Sequence, residues 1–309
     1  MPRKLEERIE QLRQLRKQPC PPDVLNVTLR KAMADRSNLV VAEAAKIAAD
    51  LHLVGLIPNL LTTFDRLFED PLKGDPKCWG KTAIVKALVQ LDYGESPPFV
   101  RGSRHIQMEP VWGGSEDSAP HLRGNCYLAL AQCTDLARFN VFGHLVDAMS
   151  DAADPVRVEA VRAIHQLAGD EAVLLLRLKA RVGDPRPLII GHVFDALLDL
   201  ERERAVPFVA GYMTQHSVEL RDEAALALGA SRKTSALNVL LETWKEHPDG
   251  EFASVLLRAI SSSRLDEAIR FLRDLVKNGS PRQAGAAAEA LKLHDDPPRD
   301  SADCADDLD

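Results

Sequence analysis

Residues 154–164 read Asp154-Pro155-Val156-Arg157-Val158-Glu159-Ala160-Val161-Arg162-Ala163-Ile164. A Pro in second place suits the opening of a helix, where its missing N–H would have had no partner. Asp154 before it is a fitting N-cap. The helix that follows has a small residue and then an apolar-rich turn around Ala163. Outward from this stretch the same pattern returns in LIIGHVFDALLDL from Leu188, ELRDEAALALGAS from Glu219, EFASVLLRAISSS from Glu251 and PRQAGAAAEALKL from Pro281. Aligned on the central Ala, the anchors are Ala163, Ala196, Ala227, Ala259 and Ala290, with spacings of 33, 31, 32 and 31.

The ladder continues upstream. YLALAQC places an anchor at Ala129, 34 residues before Ala163; VKALVQL places one at Ala87, and AAKIAADL gives a weaker one at Ile47. Five residues before the anchors stand Gly124, Val158, Gly191, Asp222, Ser254 and Gly285, a mostly small column as expected where helices cross closely. Between anchors lies a second apolar segment each time, such as ARFNVFGHLVDAMSD, DEAVLLLRLKARV, RAVPFVAGYMTQ, SALNVLLETWKE and DEAIRFLRDLVKN. Leu265, Ile269, Leu272 and Val276 show the helical spacing. Two helices per period with no strand signal mean stacked helix pairs, because a single pair cannot bury both of its faces. The expected fold is therefore all-α, an α-α superhelix of about seven to eight pairs. Ankyrin and TPR repeats share the period, but the TPLHxA signature and the large TPR aromatics are missing.

The 154–164 stretch resembles the second helix of HEAT repeats, in the subclass first noted in phycobilin lyases. The resemblance covers residues 119–293 well and 22–100 loosely. It implies an armadillo-like helical solenoid whose second helices line a concave side. Six residues before the anchors recur Lys81, Arg123, Arg157 and Arg221. In HEAT-like proteins such a residue bonds the Asp of a neighbouring inter-helix turn, and that structural role is the one expected here rather than a phosphate-binding stripe.

Of 309 residues, 45% are apolar and only 5% aromatic, so the core leans on Ala, Leu and Val. The net charge of −7 resides mostly in residues 295–309, whose seven Asp and one Arg give −6 and leave −1 for the rest. The body is thus not basic enough to advertise nucleic-acid binding. The segments expected are an N-terminal amphipathic helix (1–18), a HEAT-like solenoid (19–294) and an acidic disordered tail (295–309). Five cysteines without CxxC spacing suit a reducing, cytoplasmic setting, with Cys126 and Cys133 expected on one helix face in the core. No run approaches the length of a membrane span.

The rhythm breaks twice. The first break, FEDPLKGDPKC at 68–78, reads as a Gly/Pro/Asp turn that says little. The second, 99–122, reads FVRGSRHIQMEPVWGGSEDSAPHL and is a long loop inserted into the stack. Ile106, Met108, Val111 and Trp112 call for burial, while Gly113-Gly114 permits backbone conformations closed to other residues. Polar groups concentrate here, and His105, Gln107, Glu109, Trp112, Glu116, Asp117, His121 and Arg123 are the candidates for binding a partner or ligand. The competing expectation is that Trp112 pins a structural insertion while Glu109 and Asp117 cap helices or pair with Arg. A metal reading rests on the four-residue spacings His105/Glu109 and Asp117/His121, which share a face only on a helix; Pro110 and the double Gly argue against one. The stretch also resembles uncharacterised bacterial HEAT-repeat proteins carrying HxQxEPxxGG…LRG, here His105, Gln107, Glu109-Pro110, Gly113-Gly114 and Leu122-Arg123-Gly124. No activity comes with that resemblance.

Enzyme motifs are missing. There is no GxSxG elbow, no HExxH and no P-loop. HEAT-type enzymes of the deoxyhypusine hydroxylase kind hold iron through His-Glu dipeptides, and the sequence contains none. Lyase-like activity rests on fold analogy alone, and a DNA-glycosylase-like role lacks a basic face. The reading is a non-enzymatic protein-interaction scaffold without cofactor or metal. It would use the 99–122 loop and a concave face of mixed charge that includes Arg162, Asp195 and Arg258. The alternatives are a HEAT-fold enzyme, a nucleic-acid-binding protein, or a metal or small-ligand site in the loop.

Overall fold

A computed structural model describes residues 2–17, 21–215 and 217–295; residues 296–309 of the acidic tail, with Cys20 and Cys304, lie outside the described residues. The chain divides into two compact units, Met1–Leu167 and Ala168–Asp309. The first holds α1 (Pro2–Lys17), α2 (Pro22–Met33), α3 (Asn38–Asp50), α4 (Ile57–Arg66), α5 (Pro71–Gly74), α6 (Trp79–Gln90), α7 (Pro97–Ser103), the strands β1 (Met108–Val111) and β2 (Gly114–Asp117), α8 (Pro120–Leu130), α9 (Arg138–Ala148) and α10 (Asp154–Leu167). The second holds α11 (Gly169–Val182), α12 (Pro187–Leu200), α13 (Val206–Ala210), α14 (Tyr212–Gln215), α15 (Val218–Ala230), α16 (Thr234–Glu246), α17 (Glu251–Ser262), α18 (Asp266–Asn278) and α19 (Pro281–Asp295). The chain is all-α, and the two short strands are the departure from helix among the described residues.

Every anchor of the ladder is buried: Ile47, Ala87, Ala129 and Ala163 in the first unit, Ala196, Ala227, Ala259 and Ala290 in the second. Small anchors let helix axes approach, so the second helices stack side by side, α3–α6–α8–α10 in one unit and α12–α15–α17–α19 in the other. The small column behaves as its spacing predicts. A Cβ on Gly124 would meet Glu159 Cγ at 3.0 Å, and one on Gly191 would run into Glu223, each the residue four before the next anchor. A turn signal invisible in the sequence also recurs. His52, Asp92, Arg232 and Arg264, each five residues past an anchor, take φ between 52° and 56° just beyond the end of the second helix; Ala168 has the same place and φ but an extended ψ of −165°. Glycine usually fills such a position, and its replacement here by polar and charged residues hides the repeat from a reading of composition.

Three expectations need correction. RAVPFVAGYMTQ is not one helix: a 3₁₀ turn at Arg202–Ala205 leads into α13 and α14, separated at Gly211. Pro207 lies in the first turn of α13, as its missing N–H requires. In α18, Leu275 rather than Val276 joins Ala268 and Leu272 in the buried stripe. Cys133 lies beyond the end of α8, half-buried, while Cys126 is fully buried on that helix.

Candidate functional site

The 99–122 segment is not an irregular loop. Its first residues complete α7, its last begin α8, and 108–117 form an antiparallel hairpin with Met108 opposite Asp117 and Val111 opposite Gly114. Two residues, Trp112 and Gly113, close the turn. Gly113 takes φ +87°, which a side chain would resist. The expected burial of the apolar residues is overturned. Ile106 is 65% exposed, Met108 and Val111 are about half exposed, and Trp112 stands wholly in solvent. The hairpin leans on polar groups at its root instead of an apolar face, so its apolar side chains are free to point outward.

That root joins the two breaks of the ladder. Gln107 is buried and sits at its centre. Its amide nitrogen donates to Asp75 O (2.9 Å) and Glu109 Oε1 (2.7 Å). Its amide oxygen accepts from Lys81 Nζ (3.1 Å), Cys78 Sγ (3.2 Å) and His105 Nε2 (3.0 Å). The ammonium cannot accept, so the amide orientation is fixed by chemistry, and His105 must carry its proton on Nε2. Lys81 and Asp75 are both fully buried and pair at 3.2 Å. Asp75 also accepts from Asn38 Nδ2 (2.9 Å) and from the N–H groups of Gly80 (2.7 Å) and Lys81 (2.9 Å), at the start of α6. The chain reaches that helix through two left-handed residues, Lys77 (φ 59°) and Cys78 (φ 55°). The freed Lys77 N–H donates to Glu109 Oε1 at 2.6 Å, and Ser118 Oγ donates to the same oxygen at 2.5 Å.

Arg123 locks the other side. Its Nε and Nη2 bind both oxygens of Asp151 at 2.9 and 3.0 Å, while Nη1 reaches Asp117 Oδ2 (2.6 Å) and His105 O (3.0 Å). Asp117 Oδ1 accepts from the N–H groups of Gln107 and Ala119, both at 3.0 Å. The basic column thus holds turns: Arg157 likewise binds Asp154 and the carbonyls of Asp151 and Ala152. Arg221 differs, contacting Asp222 and lying 3.9 Å over the Phe252 ring.

The predicted candidates therefore separate. His105, Gln107, Glu109, Asp117 and Arg123 converge on the root, whereas Trp112, Glu116 and His121 face solvent. Trp112 and Glu109 belong to opposite ends of the hairpin. Arg162, Asp195 and Arg258 are exposed on α10, α12 and α17, with Arg162 paired to Glu159 at 2.8 Å. Sequence reasoning missed Asn38, Asp75 and Cys78, contributed by or packed against the first break, and named Lys81 only for its place in the basic column. Lys81 was visible as the one Lys in an Arg column, six residues after an Asp in a Gly/Pro turn. Residues 105–109 are extended rather than helical, and His105 and Glu109 both turn to the Gln107 amide that lies between them; among the described residues no three His, Cys, Asp or Glu side chains gather as a metal set. Among the same residues no helix is long and apolar enough to cross a membrane.

The electrostatics of the root follow from its burial and its hydrogen bonds. Burial pushes the Cys78 thiol up to about 11, against the pull of Lys81, so it stays protonated and unreactive. Burial raises the Glu109 carboxyl, but hydrogen bonds from Ser118, Lys77 and Gln107 outweigh it and hold the carboxyl below its ordinary value. Asp117 is lowered in the same way by Gln107, Arg123 and Ala119 against its burial. Burial lowers His105, helped by Lys81 and opposed by Gln107, Asp117 and Asp75. A folded-state value below the unfolded one means the unfolded chain takes up the proton first. The His105 contribution is therefore complete above about pH 6.5 and declines as pH falls below it. The urea midpoint of the wild type should fall further between pH 7.5 and 5.5 than that of His105→Gln; equal falls would show that His105 does not report on the root.

No protein-family model and no curated protein sequence matches the chain. Among solved structures, human deoxyhypusine hydroxylase in complex with glycerol aligns over 94% of this chain and 91% of its own at 19% identity, with a TM-score of 0.31. An engineered protein aligns over 89% of this chain and 97% of its own at 15% identity, with a TM-score of 0.24.

Proposed function

We propose that this chain is a HEAT-type repeat protein acting as a non-enzymatic protein-interaction scaffold, with the hairpin tip as its principal contact. One observation carries the reading. A wholly exposed Trp112 stands at the end of a hairpin whose root is tied by buried, fully partnered polar groups. An indole in water is costly unless a partner covers it, and Trp is among the residues that concentrate binding energy at interfaces. The root restrains the hairpin before binding, which limits the entropy lost on association. Arg162, Asp195 and Arg258 are proposed as auxiliary polar contacts, and the free thiols of Cys78, Cys126 and Cys133 suit a reducing, cytoplasmic setting.

The test begins with Trp112→p-benzoylphenylalanine, irradiation in cells and identification of the cross-linked protein. With that partner purified, Trp112→Ala should weaken binding about thirty-fold, equivalent to about 2 kcal/mol. Its melting temperature should stay at the wild-type value, because the indole touches nothing it helps to hold. Unchanged affinity, or a fall in stability with affinity kept in the folded fraction, would refute the reading.

A further inference from the structure

We infer that the hairpin binds its partner by strand addition, taking an extended, basic segment of a protein along the outer edge of β2. The inference rests on the scaffold reading and names the chemistry of the partner. Ser118 N–H donates to Gln107 O at 2.9 Å just beyond the Met108:Asp117 pair, which sets the phase of the ladder, although the Gln107 N–H goes to Asp117 Oδ1. Bonded and unbonded pairs alternate in antiparallel strands. Glu109:Glu116 and Val111:Gly114 are then bonded inward, and the N–H and C=O groups of Ser115 and Asp117 face outward from β2. Among the described residues neither the Ser115 nor the Asp117 N–H bonds a backbone group outside the hairpin.

The two edges are not equivalent. On β1 the outward groups belong to Met108 and Pro110, and Pro110 has no N–H to offer. Proline on an edge strand blocks pairing. On β2 nothing comparable stands in the way: Gly114, Ser115 and Glu116 are exposed and no helix covers them. An open, uncharged-backbone edge of this kind accepts an added strand.

Charge selects the occupant. Glu116 lies directly opposite Glu109 in the register and has no ion-pair partner among the described residues. Like charges in that relation repel. A Lys or Arg on the incoming strand beside Glu116 would relieve the repulsion. A second copy of β2 would worsen it: antiparallel self-pairing through Ser115 and Asp117 sets Glu116 against its own copy, and pairing centred on Asp117 sets that residue against itself. Trp112, at the end of the same edge, would cover the apolar residues of the added segment.

A phage-displayed library of random 12-residue peptides, selected on the immobilised full chain, tests this. The expected family alternates β-branched residues with Lys or Arg. In complex with a synthetic member, the Ser115 and Asp117 amides should exchange with solvent at least about ten-fold more slowly, as new backbone hydrogen bonds require. Ser115→Pro removes the outward N–H and should weaken that peptide at least ten-fold with the melting temperature kept. Glu116→Lys leaves the backbone intact and should turn selection toward acidic peptides. Peptides that lose binding in Trp112→Ala but not in Ser115→Pro overturn strand addition and leave the scaffold reading standing. An absence of any enriched family, or one indifferent to Glu116→Lys, also overturns strand addition, while the cross-linking at position 112 decides the scaffold reading independently.

Discussion

Lys81→Met should destabilise the first unit by about 3–5 kcal/mol, the cost of breaking a buried ion pair by removing one partner. The substitution is close in volume, so packing around Leu67 and Phe68 is kept and the loss is electrostatic. Asp75 retains the donors Asn38 Nδ2, Gly80 N–H and the backbone N–H of position 81, but its carboxylate has no access to water. Gln107 Oε1 and Leu67 O each lose a donor as well. For a unit of this size the loss corresponds to a fall in melting temperature of about 10 °C. Asp75→Asn should cost a similar amount by leaving the ammonium unpaired, and the double variant should be destabilised by less than the sum, with a coupling of about 1–3 kcal/mol. Chemical denaturation of the four proteins reads the coupling; strictly additive losses would show that the pair does not act as a unit.

The legibility of this molecule in its sequence follows from what repeats. Anchors from Ile47 to Ala290 recur because the same crossing of helices recurs, and each proves buried. Gly124 and Gly191 could be read as close contacts for the same reason. The hairpin happens once, and nothing periodic announces it. Its strands are four residues each, too short for an alternation of apolar and polar residues to register. Its inward face is Gln107 and Glu109, so the usual inference from apolar residues to burial ran in the wrong direction for Met108, Val111 and Trp112. The root was hidden further because half of it comes from Asp75, Cys78 and Lys81, about 30 residues upstream in a segment that reads as an ordinary turn. The two interruptions of the ladder are one structural element, and only the fold brings them together.

Arg123→Lys should be nearly as damaging as Arg123→Ala, each costing about 2–4 kcal/mol and releasing the hairpin. Arg123 is almost fully buried and spends three nitrogens on four acceptors: a two-point grip on Asp151 in the turn before α10, plus Asp117 and His105 O at the hairpin. The planar guanidinium serves all four from one position. An ammonium carries the same charge, but it cannot span two oxygens of Asp151 and also reach Asp117 and His105 O, so one carboxylate is left in a dry site without its donor. Charge conservation without rescue would therefore identify geometry, rather than net charge, as what Arg123 supplies. The readout is double. Chemical denaturation gives the stability loss, and exchange of the Gln107 and Ser118 amides reports the hairpin, since the Gln107 N–H is held by Asp117 and the Ser118 N–H by Gln107 O. If Arg123→Lys keeps both near wild type while Arg123→Ala does not, a single positive charge is sufficient at that position and the grip on Asp151 is dispensable. If the hairpin amides speed up while the rest of the unit keeps its protection, Arg123 is the element that couples the exposed Trp112 tip to the stack, and partner affinity should fall with it.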